Sequence, residues 1–481
     1  MESTIHIPEL KDVYDGSSPV VDCLNILRDS TKTPIQLRGI RGSLDSIFIS
    51  TLFNNSERSF LIIANDFEEA AYLFNDLQHF VEEEKVLYFP ASFKRPYQYE
   101  EIDNANVLRR SETLSRLNSD QNFLIVSYGG AIAEKVINKR SLIENTISIR
   151  IGDEVDLDKI REQLQNFGFE QTDFVYEAGQ FAIRGGILDI FSFSNELPYR
   201  VELFGDEIEN IRIFDPGTQL SKDSVSSIDI IPNIEQRLVK EEQKSFFHFL
   251  PENSVVAYKD YQFVEEIVGE SFEKCSQEFN AIANGGRPKI VPDPKEKFLT
   301  RADFRSKTAE FQTVEFGNRF RNIPSTSIEV SSAPQPTFKK NFDILSENLR
   351  DYEEKGYSIF ISSDSESQIE RLRSIFNELN ASMDLQTLPY SLHEGFVDHD
   401  NKLVCYTDHQ IFERLYRYKL KEKYSKAQAM TLRELQSLQP GDFVTHIDYG
   451  VGRFAGLEKI DAGGKLHCRY RHGLRLLPAG G

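Results

Sequence analysis

Phe60-Leu61-Ile62-Ile63, then Asp66-Phe67-Glu68-Glu69-Ala70-Ala71-Tyr72-Leu73-Phe74-Asn75-Asp76-Leu77-Gln78-His79-Phe80-Val81, then Val86-Leu87-Tyr88-Phe89: this succession decides the architecture of the N-terminal part of the chain. The two flanking runs are short and apolar without polar alternation, the pattern of strands covered on both faces. Between them Phe67, Ala70, Ala71, Phe74, Leu77 and Phe80 recur near the 3.6-residue period of an amphipathic helix. A strand, a helix and a second strand in this order predict a parallel sheet covered by helices. Phe123-Leu124-Ile125-Val126 adds a third strand, and residues 1–145 are read as the first part of an α/β domain.

Upstream lies Gly39-Ile40-Arg41-Gly42-Ser43-Leu44-Asp45-Ser46, the place in such a fold where a phosphate-binding loop would stand. Gly39, Gly42, Ser43 and Ser46 occupy plausible loop positions, but Leu44 replaces the second loop glycine and Asp45 replaces the lysine. The glycine lets backbone amides approach phosphate and the lysine neutralises it. Leucine adds bulk there, and aspartate sets an anion against an anion. The segment therefore reads as a degenerate P-loop, an ordinary strand-to-helix turn that is not expected to bind nucleotide.

Outward from this domain, 481 residues with 40% hydrophobic and 27% charged content exceed what one core organises, and three or four domains are expected. A formal charge of −20 excludes a chain that coats duplex DNA through phosphate neutralisation, so contact with DNA is expected to be weak or indirect. One basic run, Arg414, Arg417, Lys419, Lys421, Lys423 and Lys426, reads as a solvated helical linker over residues 411–437. Cys23, Cys275, Cys405 and Cys468 never approach a Cys-x-x-Cys spacing, and neither a disulfide framework nor a metal site is read. No apolar run nears the ~18 residues of a membrane span, and Met1-Glu2-Ser3-Thr4-Ile5-His6 carries no signal pattern. A cytoplasmic protein is expected. No catalytic constellation is found, and no catalytic residue is assigned.

From residue 146 the pattern changes to short alternating strands punctuated by Gly, Asp and Asn, an antiparallel module over 146–231 inserted into or following the α/β domain. In Tyr199-Arg200-Val201-Glu202-Leu203-Phe204, side chains two apart share a face. Tyr199, Val201 and Leu203 are assigned to the core, leaving Arg200, Glu202 and Phe204 together on the other side. Two readings of Phe204 stay open on alternation alone: an exposed anchor beside an arginine, or a ring packed under a loop with Arg200 lying over it.

Phe181-Ala182-Ile183-Arg184-Gly185-Gly186-Ile187-Leu188-Asp189-Ile190-Phe191 and Tyr199-Arg200-Val201-Glu202-Leu203-Phe204-Gly205-Asp206-Glu207 resemble the bacterial transcription-repair coupling factor family, and more distantly the UvrB subunit of excinuclease. Phe89-Pro90 with Arg109-Arg110, and Pro440-Gly441-Asp442-Phe443-Val444-Thr445-His446-Ile447-Asp448-Tyr449-Gly450-Val451-Gly452-Arg453-Phe454-Ala455-Gly456-Leu457, extend the resemblance to about Gly464. It implies that the first domain is a relic without ATP hydrolysis and that the 146–231 module recruits the UvrA subunit of excinuclease. The family's contact arginines and phenylalanine fall on Arg184, Arg200 and Phe204, and this resemblance favours the anchor reading of Phe204.

Residues 232–330 read as the return of the chain into the first domain. Ala333-Pro334-Gln335-Pro336 reads as a linker, and 338–410 as a small α/β domain without assigned chemistry. Residues 438–481 resemble the start of the family's RNA polymerase interaction domain, which docks on the polymerase β subunit, with Ile447 as the implied contact. From Lys465 onward the sequence is read as lacking alternation, a departure that makes this module look truncated and its polymerase binding doubtful. In the family, ATP and Mg²⁺ serve a motor whose motifs are absent from these residues. The resulting expectation is a non-catalytic recruitment scaffold of transcription-coupled repair. The alternative is a weak NTPase or helicase-like repair enzyme related to the UvrB subunit of excinuclease.

Overall fold

A computed structural model describes residues 13–29, 32–92, 104–119, 121–193, 195, 197–231, 243–284, 293–379 and 385–416. Of residues 443–446, 450–453, 457–462 and 465–470 it describes the backbone. The chain divides into two compact units, Met1–Leu420 and Lys421–Gly481.

The first unit is organised by a parallel sheet of seven strands. Their order is Thr326–Glu329, Ile35–Arg38, Gln312–Glu315, Val255–Tyr258, Phe60–Ala64, Leu124–Tyr128 and Val86–Tyr88. Every residue of Phe60–Ala64 is buried, because alternate side chains enter cores on opposite faces of the sheet. Phe60, Ile62 and Ala64 belong to one core, and Leu61 and Ile63 to the other. The helix expected between the first two strands spans Phe67–Leu77, and the Asp66 side chain caps it by accepting from the Glu69 N–H.

Between the strands Leu124–Tyr128 and Val255–Tyr258 the chain leaves this sheet and builds a second. Its six strands run in the order Ser221–Ser224, Glu207–Phe214, Tyr199–Phe204, Ile187–Ile190, Gln180–Arg184 and Glu170–Gln171, antiparallel except for the last pair. The helix Leu157–Asn166 closes one face, placing Ile160 and Leu164 among Phe181, Leu188, Ile190, Val201, Ile208 and Ile211. At the neck of the insertion the outgoing strand Ile147–Arg150 pairs antiparallel with the returning strand Ser227–Ile230, with Ile147 opposite Ile230.

A third sheet has the order Ser332–Pro334, Phe396–Asp398, Leu403–Thr407, Ser358–Ser362 and Leu385–Leu388. The segment read as a Pro-rich linker is thus partly a strand. Pro334 is tolerated because the strand lies at the sheet edge, where its missing N–H breaks no central ladder. The reading of residues 411–414 as part of a basic linker is also corrected: Ile411 and Phe412 are buried in this domain's core, and Arg414 donates to Asp408 at 2.5 Å. Residues 417–437 lie outside the described residues. Phe360, Leu388, Tyr390, Leu392 and Phe396 share a core with Leu44, Phe48 and Phe74, so the first and third sheets are packed into one body.

In the second unit Phe443–His446 pairs with Gly450–Arg453, and Leu457–Ala462 with Lys465–Tyr470. The last strand corrects the reading that alternation ends at Lys465. Leu466, Cys468 and Tyr470 alternate with His467 and Arg469, the period-2 pattern of a strand. Ile447 lies outside the described residues.

Candidate protein-binding site

The inserted module presents the arginines and the phenylalanine singled out in the sequence. Cross-strand pairing puts Arg200 opposite Asp189, Asp189 opposite Ala182, and Arg184 opposite Ile187. Residues directly opposite share a face, so Arg184, Asp189, Arg200, Glu202 and Phe204 stand together, away from the core that holds Val201. The register between Tyr199–Phe204 and Glu207–Phe214 shifts after Glu202, just before the Gly205-Asp206 turn. Gly205 takes φ +66 there, a conformation that glycine adopts without strain.

Phe204, next to that turn, is 81% exposed. The alternative of a ring packed beneath a loop therefore fails. The aromatic ring under the Arg200 guanidinium is that of Phe214, 4.6 Å to the centroid. Arg200 is itself well covered: its side chain is 16% exposed, and it donates from Nε and Nη2 to the two oxygens of Asp189 at 2.7 and 2.8 Å and from Nη1 to the Gln219 carbonyl at 3.2 Å. This bidentate bond to a carboxylate raises the Arg200 pKa further, against the lowering effect of burial.

Arg184 reaches the same carboxylate through Nη2, donates from Nη1 to the Asp173 carbonyl at 2.5 Å, and lies 4.8 Å from the centroid of Phe174. Asp189, wholly buried, thus serves two guanidinium groups. Phe174 and Tyr176 are each 49% exposed and Leu220 is 69% exposed, on loops tied together by Gln219, whose amide donates to the carbonyls of Val175 and Pro216. The arrangement sets fixed cations beside exposed aromatic and aliphatic groups, a composition that protein interfaces favour. Asp189 went unmarked in the sequence reading. Its signal was a lone carboxylate inside the apolar run Ile187-Leu188-Asp189-Ile190-Phe191.

The degenerate loop is filled from within the chain. Gly39 and Gly42 have φ of +87 and +56, and a Cβ on them would overlap the carbonyl oxygens of Val330 and Gly395. Ser43 donates through its N–H to the Glu394 carbonyl at 3.0 Å and accepts from the Glu394 N–H at 2.9 Å, while its hydroxyl donates to Asp76 at 2.5 Å. The His393 N–H donates to Asp76 at 3.0 Å, so the segment from His393 to Gly395 of the third sheet lies over the turn.

Asp45 is buried and accepts from Lys259 Nζ at 2.6 Å, and the Ser46 hydroxyl donates to Asp45 at 3.2 Å. Burial by itself would lower the Lys259 pKa, but the charges of Asp45 and Glu69 more than offset it and the group stays cationic. The cation of this corner is already neutralised by the residue that displaced the loop lysine. Among the described residues, Cys23, Cys275 and Cys405 are buried free thiols, and no group of three or more potential ligands is placed to hold a metal.

Comparison with known proteins finds likenesses on both units of the chain. Residues 147–235, the inserted module with its neck, match the model of the UvrB interaction domain, and residues 438–471 match that of the CarD-like/TRCF RID domain. The transcription-repair-coupling factor of Staphylococcus aureus strain bovine RF122 is 23% identical over 494 residues, covering 88% of this chain and 42% of that protein. The chain is similar to the N-terminal portion of a transcription-repair-coupling factor. The transcription-repair-coupling factors of Staphylococcus aureus strain MRSA252 and Staphylococcus haemolyticus are likewise 23% identical, covering 90% and 89% of this chain. The chain spans about two fifths of the length of these transcription-repair-coupling factors, 42% and 43% in the S. aureus comparisons. The CarD-like/TRCF RID match ends at residue 471, beyond the strand Lys465–Tyr470.

Proposed function

We propose that this chain is a non-catalytic recruitment scaffold of transcription-coupled DNA repair, linking the UvrA subunit of excinuclease to a stalled RNA polymerase. The observation that carries the reading is the coincidence of the UvrB interaction match with the sheet that sets Arg184 and Arg200 on one buried carboxylate beside the exposed Phe204. Arg184, Arg200 and Phe204 are the proposed contacts with UvrA. The polymerase β subunit is the proposed partner of residues 438–471, with Ile447 as the contact.

A scaffold without nucleotide chemistry agrees with the Asp45–Lys259 ion pair and with the chain's own His393–Gly395 segment lying over the degenerate turn. ATP and Mg²⁺ are accordingly not proposed as cofactors of this chain. Contact with DNA is proposed to be indirect or weak, given the formal charge of −20. No helix among the described residues is long and apolar enough to cross a membrane, and the proposed setting is the cytoplasm.

The test is binding of purified UvrA to the chain and to its Phe204→Ala variant. Because Phe204 is 81% exposed, its removal leaves the fold intact, and an interface anchor costs at least about 2 kcal/mol, roughly thirtyfold in affinity. Tight binding weakened to that extent supports the reading; absent binding, or binding indifferent to Phe204, overturns it.

A further inference from the structure

We infer that Asp189 is the positioning residue of the recognition face, the single group that presents Arg184 and Arg200 to the partner as one unit. The inference deepens the proposed recruitment of UvrA and rests on it for the identity of the partner. Asp189 sits in the middle of the sheet, wholly buried, between Ala182 on one neighbouring strand and Arg200 on the other. Arg184 stands two residues beyond Ala182, diagonal to Asp189. Alanine, the smallest side chain available at that position, leaves the space through which Arg184 reaches the carboxylate.

Each guanidinium is then held at three points. Arg200 has the Asp189 carboxylate, the Gln219 carbonyl and the Phe214 ring; Arg184 has the same carboxylate, the Asp173 carbonyl and the Phe174 ring. Two cations on one anion leave one unit of positive charge on this cluster, with Glu202 on the same face ion-paired to Arg212 at 3.1 Å. The charge of the cluster is most accessible at Arg184, whose side chain is 36% exposed against 16% for Arg200. The complementary partner surface is acidic with an apolar pocket for Phe204. Fixing the forks in the free chain removes their ordering cost from the binding step, and this is what Asp189 contributes.

The experiment is Asp189→Asn, followed by association and dissociation rates with UvrA, with a thermal melt of each variant. Loss of the carboxylate raises the positive charge of the face, so a residue that merely neutralised charge would give faster association and tighter binding. A positioning residue gives dissociation faster by about tenfold with association unchanged or faster. Unchanged dissociation in a folded variant overturns the inference. If Asp189→Asn does not fold, Arg200→Lys takes its place. It keeps the charge and loses the bidentate fork, and affinity equal to that of the unaltered chain overturns the inference.

A second readout needs no partner: phenylglyoxal labelling of Arg184 and Arg200 in the free chain, followed by mass spectrometry. Labelling several-fold faster in Asp189→Asn shows that the carboxylate holds the forks, and equal labelling overturns it. If the unaltered chain does not bind UvrA, the reading of the partner fails, and the labelling still decides the role of Asp189.

Discussion

At Asp45 a nucleotide-binding loop would carry its lysine, and in the folded chain a lysine has come to the same corner from another strand. Lys259, following the strand Val255–Tyr258, places its ammonium 2.6 Å from Asp45 and 3.4 Å from Glu69. Restoring the motif residue therefore does not restore the motif. Asp45→Lys is expected to face Lys259 with a second buried cation, to lower stability by about 3 kcal/mol in a urea melt, and to show no ATP binding by calorimetry. ATP binding by that variant would count against a sealed turn. Gly39→Ala gives a parallel test of the backbone, since its Cβ would overlap the Val330 carbonyl oxygen with φ at +87. A loss of about 2 kcal/mol or more is expected in the same measurement. Neither residue announced its partner: the sequence shows that Asp45 is wrong for phosphate, but its pairing with Lys259 is made only when the strands are ordered.

Among the elements, the helix Phe67–Leu77 couples the first sheet to the third through Asp76. Burial raises the pKa of this carboxyl to about 8, with hydrogen bonds from Ser43 and the His393 N–H and the charge of Lys259 opposing, and the charge of Asp45 adding. Tyr390, Cys405 and Tyr416 from the third domain feel the same carboxyl. The folded state holds a proton that the unfolded chain releases above its ordinary value of 3.8, so the stability from Asp76 is complete below that pH and is lost as pH rises through about 8. Between those limits it declines by about 1.4 kcal/mol per pH unit. Asp76→Asn, which mimics the protonated acid, is expected to flatten this component. Identical pH profiles of stability for the two proteins would show that Asp76 is ionised in the folded state.

The elements themselves were largely legible. Apolar runs gave three of the parallel strands, the 3.6-residue recurrence gave the helix, and alternation assigned Arg200, Glu202 and Phe204 to one face. What stayed hidden was how elements combine. Ala333-Pro334 looked like a linker because proline is read as a breaker, yet at a sheet edge it breaks nothing. Ile411, Phe412 and Tyr416 were masked by the lysines and arginines that follow them. In the candidate site, Arg184, Arg200 and Phe204 were reached through resemblance. Asp189 was not, because a single carboxylate in an apolar strand declares neither its face nor its partners until the register is known.

For the whole molecule, the decisive feature is that the inserted module has its own core and that the chain leaving and rejoining the parent sheet is paired antiparallel, Val136–Ile137 with Gln243–Lys244 and then Ile147–Arg150 with Ser227–Ile230. Residues 147–231 expressed alone are expected to unfold cooperatively and to bind UvrA within about threefold of the longer chain, with the same dependence on Phe204. Binding that needs the remaining residues would place part of the interface outside the module.

The neck also fixes how the molecule answers a pulling force. Ile147 and Ile230 face one another where the chain enters and leaves, so tension drawn across these two points loads the short ladder Ile147–Arg150 with Ser227–Ile230 one rung at a time, as a zipper is opened. The longer pairing of Tyr199–Phe204 with Glu207–Phe214 lies beyond that ladder, and at its mouth Ile231 is also tied to the module, its N–H donating to the Ser192 hydroxyl at 2.9 Å and its carbonyl accepting from the Phe193 N–H at 3.3 Å. The neck is thus expected to act as a mechanical fuse: under tension applied across it these few bonds part first, while the face built on Asp189 keeps its shape.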